Sequence, residues 1–496
     1  MKKFARNSVK PLFFLRIIFM MTPLLIFADG PDAQELYEQA PLYIHTPENL
    51  MEMKHAMVVD RLQVLHGQNQ AIELKEVGVS AEGRSINMLS FGQGKVPLLL
   101  WSQMHGDEPT ATAALLAVFD YLAGNFESAY VKNLYQKLRV NAIVMLNPDG
   151  AERFVRRNAQ GIDINRDANR LSSPEGQTLR KMYEQINPLY GFNLHDMRGR
   201  ETVGDSGELL SIALMAPPFN KENEDNPSRR RAKKLVLIIK DVLDLFIDGH
   251  VARYKADYMP RAFGDAFQNW GVSTVLVESG LTESQLPHHL VRLNFVLLLN
   301  SFSAIANDQV DKEDDARYDK IPLEGKEVYD LLIKEALICN GRHISPYRAD
   351  IGINIDYYLD NGRPASKGRI DDIGELSASG GRMVIDASRM IVMPGFIMQG
   401  DTVRNPQLNY EQGITTLIYD ADKPPPDFPS GGQLALPSVP LYTRDQARRF
   451  GLSELGLIDK DQAADLIIFK ATEKEVITQQ DLRYVIKNGQ IVFEFP

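Results

Sequence analysis

The segment that decides the fold runs from Val96 to Leu122 and reads VPLLLWSQMHGDEPTATAALLAVFDYL. Its first part, Val96–Ser102, is a short apolar run bounded by polar residues, which is typical of a buried strand. Its last part, Thr110–Leu122, is rich in alanine and leucine and predicts a helix, and Pro109 suits the first turn of that helix. A buried strand followed closely by a helix predicts one unit of an α/β sheet.

The alternation of strands and helices continues after this segment. Apolar runs predict strands over Leu138–Leu146 and Gly271–Val277, and a helix over Leu235–Phe246. The run Asn147–Gly150 predicts a turn that closes the first of these strands. We therefore expect residues 35–307 to form a three-layer α/β/α domain around a mainly parallel or mixed sheet.

The pattern changes after about residue 307. A charged stretch over residues 308–321 predicts a linker, and residues 322–496 show short strand-like runs, glycine-rich turns and few helical patterns. We expect this second part to be a smaller all-β domain with a sandwich-like arrangement.

The N-terminus predicts export. Lysine and arginine residues in the first ten positions precede an apolar stretch over Ile17–Ala28, so residues 1–28 resemble a secretory signal peptide. The stretch is short for a membrane span, and we expect no stable span after its removal. An uncleaved N-terminal anchor is the alternative. Cys339 is the only cysteine, so no intrachain disulfide can form, and we expect a bacterial periplasm or the extracellular space as the location.

The charge of the chain disfavours one class of partner. Its net charge at pH 7 is −10, and removal of residues 1–28 would take away five positive charges and no acids, leaving −15. An acidic chain without a long basic block is a poor candidate for nucleic-acid binding, so we expect no nucleic-acid partner.

Two histidines and two glutamates have the chemistry of a hydrolytic zinc site. His105 and Glu108 lie three residues apart after a predicted strand, so one turn can aim both at one point. His195 follows another apolar run and would be a third zinc ligand. Glu278 ends a further apolar run and would be the general base for a water activated by the metal. A lone His-x-x-Glu is weak evidence, and Glu278 alone could form a buried salt bridge or a cap.

An arginine-rich segment adds to this pattern. Residues 153–167 read RFVRRNAQGIDINRD and place four arginines beside asparagines and a glycine turn. Arginine binds carboxylates in bidentate fashion and stabilises oxyanions, so the segment is a candidate for substrate binding. A solvated basic loop is the alternative for the segment taken alone.

With these motifs in this order, residues 45–305 resemble zinc carboxypeptidases of the carboxypeptidase A type. The resemblance implies one zinc ion (Zn2+) held by His105, Glu108 and His195, with Glu278 as the catalytic glutamate. The substrate would be a peptide with a free C-terminal carboxylate.

The resemblance also implies roles around the metal. Arg156 would polarise the scissile carbonyl, and Asp163 would orient the first zinc histidine. Asn165 and Arg166 would hold the terminal carboxylate of the substrate.

The family often has a mobile tyrosine over the site. Tyr258 is the candidate for it here and Tyr254 is the alternative, because the spacing does not decide between them.

The C-terminal part resembles the small β domain of amidohydrolases. The runs that carry this resemblance are Gly368–Leu376, Val384–Ala387, Val392–Ile397, Ala464–Ile468 and Val485–Val492. In that family the Pro-Gly-Phe-Ile run leads into a His-x-His metal motif, whereas here it leads into Met398-Gln-Gly. We therefore expect this domain to be non-catalytic, either structural or a surface for an unidentified protein partner.

The resemblance implies an exported zinc metallocarboxypeptidase. Aspartoacylase-like enzymes share the order of the motifs, so a zinc-dependent deacylase of N-acyl amino acids is the nearest alternative. The long catalytic half and the Asn147–Gly150 run suit a peptidase better. A binding protein without catalysis is a third possibility, and it is disfavoured because every required residue type is present.

Overall fold

The structure is a computed structural model. It describes residues 30–255, 257–280, 282, 288–338 and 347–394, together with the short strands 397–399, 416–419, 441–443, 466–470, 482–487 and 490–494. The expected signal peptide, residues 1–28, and Cys339 lie outside the described residues.

The helices are concentrated before residue 321. The α-helices are α1 (Ala33–Gln39), α2 (His55–Gln68), α3 (Thr110–Gly124), α4 (Ala129–Lys137), α5 (Pro148–Arg153), α6 (Pro174–Ile186), α7 (Pro227–Ile247), α8 (Phe263–Asn269), α9 (His289–Ala306) and α10 (Gln309–Lys312). The 3-10 helices are Ala40–Leu42, Leu50–Glu52, Ile164–Arg166 and Asp315–Lys320.

The strands extend over the whole described chain. The first ten are β1 (Ile72–Val79), β2 (Ser85–Phe91), β3 (Val96–Ser102), β4 (Leu138–Ile143), β5 (Tyr190–Asp196), β6 (Glu201–Val203), β7 (Ile212–Met215), β8 (Val251–Arg253), β9 (Ser273–Ser279) and β10 (Glu324–Ile338). The others are β11 (Tyr347–Asp360), β12 (Arg363–Gly374), β13 (Gly380–Asp386), β14 (Met390–Pro394), β15 (Ile397–Gln399), β16 (Thr416–Tyr419), β17 (Leu441–Thr443), β18 (Leu466–Lys470), β19 (Leu482–Lys487) and β20 (Gln490–Glu494).

The first sheet has eight strands in the order β1-β2-β4-β3-β5-β9-β7-β8. Its centre, from β4 through β3 and β5 to β9, is parallel, whereas β1 with β2, β2 with β4, and β7 with β9 pair antiparallel. The expected mixed sheet is therefore confirmed. The carboxyl ends of β3, β5 and β9 lie side by side, which is where open α/β sheets place their sites.

Strand β3 shows how helices cover both faces of this sheet. Leu98 and Leu100 join the core that includes Phe119 of α3, whereas Leu99 and Trp101 join the core on the other face. There the ring of Trp101 packs against the ring of Phe267 of α8, with 4.5 Å between the ring centroids and a tilt of 40°. The four β3 side chains are fully buried, and so are Phe119 and Phe267. Because side chains alternate along a strand, a strand buried on both faces becomes one continuous apolar run.

Phe119→Ala is expected to lower the free energy of unfolding by about 3–5 kcal/mol, because it leaves a cavity in a close-packed core. Leu245→Ala on α7 is the control, since Leu245 is 57% exposed. Urea unfolding of both variants measures the difference. Equal effects for the two variants would contradict this packing.

One local prediction is wrong. Residues 147–150, predicted as a turn, begin the helix α5, in which Pro148 occupies the first turn and the Asn147 side chain accepts a hydrogen bond from the Gly150 N–H at 2.9 Å. Asparagine and proline are favoured both in turns and at the start of helices. A turn and a helix start are therefore hard to distinguish from this sequence alone.

Helix α9 is long and apolar enough to cross a membrane by length and composition, but 89% of it is buried inside the protein. It packs against α3 and α7 in the larger core of the first domain.

The second sheet follows the order β12-β11-β10-β14-β18-β19-β20, and β13 and β6 also pair with β10. The prediction of short strands is wrong for β10, β11 and β12. These strands have 15, 14 and 12 residues. Strands β11 and β12 form a hairpin whose two loop residues, Asn361 and Gly362, have φ values of 49° and 77°. Asn-Gly is the strongest short hairpin signal, because both loop residues need positive φ. The sandwich-like arrangement stays a prediction.

The two sheets are joined through several contacts. Strand β6, which lies within the expected first domain, pairs antiparallel with β10. The guanidinium of Arg200 donates to Asp330 at 2.9 Å, and both side chains are nearly buried. The stretch expected as a linker contains α10 and a 3-10 helix, and its Tyr318 hydroxyl accepts a hydrogen bond from the Ala216 N–H at 2.9 Å. The domain boundaries themselves stay predictions.

Candidate active site

Three side chains meet at the carboxyl ends of β3 and β5. The Nδ1 atom of His105 lies 2.6 Å from one carboxylate oxygen of Glu108, and the Nδ1 atom of His195 lies 2.7 Å from the other. Their potential ligand atoms all lie within 4.8 Å of one another, and all three residues are buried. Two imidazole nitrogens and one carboxylate are a common donor set of catalytic zinc sites. The three predicted ligands are therefore brought together in an arrangement that could hold one metal ion.

The loop that carries His105 is fixed by close packing. A Cβ added to Gly106 would lie 2.0 Å from the carbonyl carbon of Gly150, so only glycine allows this loop to lie on α5. The side-chain amide of Asn147 donates to the carbonyl oxygens of Met104 and Arg156, each at 3.3 Å. One buried asparagine thus fixes the backbone next to His105, a predicted ligand, and the backbone of Arg156, the arginine predicted to polarise the scissile carbonyl.

The ring nitrogens that face away from this cluster also have partners. The Nε2 atom of His105 lies 3.2 Å from the Asp163 carboxylate, and the Nε2 atom of His195 lies 3.3 Å from the side-chain amide of Asn165. A carboxylate that accepts the Nε2 proton of His105 leaves Nδ1 free to bind a metal. Asn165 is held in turn, because its side-chain oxygen accepts a hydrogen bond from the Phe263 N–H at 2.9 Å.

The electrostatics of the cluster suit a metal. Burial alone would raise the pKa of Glu108, but the neighbouring His105 and His195 lower it to about 2. Burial lowers the pKa of His195. Burial would lower the pKa of His105 as well, but Glu108 and Asp163 raise it. Glu108 and His195 are therefore in the states that zinc binding requires, whereas zinc has to displace a proton from His105. The donor set of this chain therefore fits a zinc ion.

Asp163→Asn is expected to weaken zinc affinity by about 10- to 100-fold, because the substitution removes the carboxylate that orients His105. Zinc competition with a coloured chelator measures the change. Asp311→Asn, at an exposed acid on α10, is the matched control. Unchanged affinity in Asp163→Asn would show that this contact does not support the metal.

Arg156 lies on the accessible side of the cluster. Its Nε donates to Asp163 at 3.1 Å, and a terminal guanidinium nitrogen lies 3.1 Å from His105 Nδ1 and 3.5 Å from Glu108. Its side chain is 43% exposed, so it is accessible beside buried ligands. Arg166 is half-buried, and its guanidinium donates to the Asn165 carbonyl at 2.7 Å.

The pairing of two strands fixes the position of Glu278. It lies opposite His195 in the parallel register of β5 and β9. Strands that pair lie about 4.8 Å apart and their register partners project from the same face, so the Glu278 side chain belongs beside His195. Burial, and then repulsion from Glu108, raises the pKa of Glu278 well above its usual value. A bound cation would oppose this effect.

Two tyrosines follow β8. Burial raises the pKa of Tyr254 to about 12, with Glu278 adding to the shift and Arg166 opposing it. Tyr254 is therefore within electrostatic reach of two predicted site residues. Tyr258 is half-buried, and the choice between the two tyrosines as the one over the site stays a prediction.

Asp196 was missed by the sequence reasoning. One of its carboxylate oxygens accepts a hydrogen bond from the Thr110 N–H at 3.0 Å, so the end of β5 is tied to the first turn of α3. This contact links the strand of His195 to the residue two places after Glu108. The only sequence feature that could have indicated Asp196 was its position directly after the predicted ligand His195.

Comparison with known proteins identifies related sequences for the first domain. Residues 59–193 match the sequence model of the zinc carboxypeptidase family. The probable carboxypeptidase 2 of Arthroderma benhamiae is 27% identical over 142 residues, which are 28% of this chain and 26% of that protein. Carboxypeptidase 2 of Trichophyton rubrum is 25% identical over 142 residues, which again are 28% of this chain and 26% of that protein. The match thus spans about a quarter of the length of these curated relatives.

Solved structures are also similar. A metallo-carboxypeptidase from Burkholderia cenocepacia has a TM-score of 0.40 and 19% identity, covering 51% of this chain and 69% of that one. A metallo-carboxypeptidase from Pseudomonas aeruginosa, in complex with (2-guanidinoethylmercapto)succinic acid, has a TM-score of 0.39 and 19% identity, covering 52% and 68%.

Proposed function

We propose that this chain, in which residues 59–193 match the zinc carboxypeptidase family, is a zinc-dependent metallocarboxypeptidase that hydrolyses the C-terminal peptide bond of peptides. The observation that carries the proposal is the convergence of His105, Glu108 and His195 at the ends of two adjacent parallel strands. This cluster is supported by Asp163, whose carboxylate can accept the outer ring proton of His105.

The site residues have separate roles in hydrolysis. A zinc ion held by His105, Glu108 and His195 would lower the pKa of water to about 7 and polarise a carbonyl. Glu278 takes the proton from the attacking water and transfers it to the leaving amine. Arg156, accessible beside the ligands, donates hydrogen bonds to the oxygen on which negative charge develops.

Recognition of the substrate's end falls to the 3-10 helix Ile164–Arg166. The guanidinium of Arg166 binds the terminal carboxylate in bidentate fashion, and the Asn165 amide shares that role. Because Asn165 also contacts His195, the residue that binds the carboxylate is fixed relative to the metal. The cleaved bond would then be the one next to the terminus, which makes the enzyme an exopeptidase.

A substrate comparison tests this proposal against the deacylase alternative. Purified protein is incubated with a mixed peptide library and with a panel of N-acetylated amino acids, each with and without a chelator. We expect release of C-terminal residues from peptides only, and loss of that release with the chelator. Hydrolysis of the acetylated amino acids without cleavage of peptides would favour a deacylase. Cleavage that survives complete metal removal would contradict both.

Export is a separate proposal, supported by the basic and apolar pattern of residues 1–28. The N-terminal sequence of protein secreted by a bacterial host tests it, and we expect that sequence to begin near residue 29. A mature protein that retains Met1 would indicate an anchor or no export.

A further inference from the structure

A cleft of about 260 Å³ lies between the two sheets, next to the candidate metal site. Its floor includes Pro109 and Thr110, which follow Glu108, and Met197, which lies two residues after His195. It also includes Gly280, which lies two residues after Glu278. Every chain segment that delivers a predicted metal ligand or the predicted base therefore continues into the cleft.

The other wall of the cleft belongs to the second sheet. Residues Ile355–Tyr357 of β11 line it, and Tyr357 is 57% exposed. This wall is held against the first domain, because Arg198 donates to Asp356 at 2.8 Å and Arg200 donates to the Ile355 carbonyl at 2.8 Å. Strand β12 also packs against the 3-10 helix Leu50–Glu52.

From this geometry we propose that the second sheet is part of the substrate-binding site and that the cleft holds the peptide segment upstream of the cleaved bond. The inference rests on the proposed function. Its substrate class is therefore a peptide with several residues before the terminal one, and not a single acylated amino acid. The cleft volume, just below the range of about 300–1,000 Å³ that is typical of ligand pockets, suits a short extended segment.

The lining of the cleft has the chemistry that an extended peptide needs. Met51, Phe154 and Tyr357 offer apolar surface for side chains. Asp107, Asp196 and Ser279 add polar groups to the lining, on the segments that follow or precede the predicted metal ligands and the predicted base. A partly apolar cleft with a few convergent polar atoms is typical of a ligand site.

Two neighbouring tyrosines allow a matched test. Tyr357 lines the cleft, whereas Tyr358 is 43% exposed and is not among the lining residues. The substrates are an N-blocked dipeptide and an N-blocked pentapeptide that share their last two residues, taken from a sequence that the wild-type protein cleaves. The measured quantity is kcat/KM for each, with the zinc content of each variant as a check on folding.

We expect wild-type protein to prefer the pentapeptide, and Tyr357→Ala to lose about tenfold in kcat/KM on the pentapeptide, as truncation of one buried aromatic contact typically costs. The same variant should change by less than about twofold on the dipeptide, which does not reach the wall, and Tyr358→Ala should match wild type on both substrates.

Three results would overturn the inference. Equal wild-type values for the two substrates would leave the proposed function intact and remove any role for the cleft. Equal behaviour of Tyr357→Ala and Tyr358→Ala would remove the role of this wall. Absence of cleavage of any peptide would overturn the proposed function itself, and this inference with it.

Discussion

Glu278→Gln is expected to lower kcat by about a hundredfold to ten-thousandfold, the range that general acid–base catalysis supplies. Glutamine keeps the shape of the side chain but cannot accept a proton. Because Glu278 pairs with His195 in the sheet and is not one of the clustered ligands, zinc content should stay at the wild-type level. Single-turnover cleavage of a peptide, together with metal analysis of the same sample, measures both quantities.

The control for this variant is Glu184→Gln, at an exposed glutamate that pairs with Arg180 on the surface. It should keep the wild-type rate. A Glu278→Gln protein with full activity would remove Glu278 from the chemistry. A variant that loses zinc together with activity would instead assign this glutamate to the metal site.

His195→Ala is expected to lose both zinc and activity. Removal of the imidazole leaves two of three ligands and an ionised Glu108 without its partner at 2.7 Å. We expect zinc content well below the wild-type value and a fall in kcat/KM of at least about a thousandfold, since metal catalysis contributes several kcal/mol of transition-state stabilisation. Metal analysis after dialysis and a peptide assay check the two effects.

His66→Ala serves as the matched control, because His66 is an exposed histidine on α2. It should retain both zinc and activity. Normal zinc content in His195→Ala would mean that the metal, if one binds, is held elsewhere.

The part of the site that the sequence predicted well is the part made of short motifs at strand ends. His105 and Glu108 lie three residues apart after a strand whose predicted bounds, Val96–Ser102, are confirmed. Because parallel strands bring their carboxyl ends to one edge, His195 could be expected near them once its own strand was recognised. The roles of these residues stay predictions.

What the sequence did not predict depends on contacts between distant segments. The hydrogen bond from Thr110 to Asp196 joins residues 86 positions apart, and no local pattern marks it. The length of β10 and β11 depends on pairing with partners far along the chain, and propensity alone does not measure such pairing. The wall that Tyr357 contributes depends on how the second sheet packs on the first, which needs the three-dimensional structure.

The most direct test of the central claim is a zinc titration of metal-free protein. Chelator-treated protein is dialysed, zinc is added in known amounts, and peptide hydrolysis is measured at each step. We expect activity to rise in proportion to zinc and to stop rising at about one ion per chain, because one His-Glu-His cluster was found among the described residues. Activity that is complete before any zinc is added, or that no amount of zinc restores, would contradict the account.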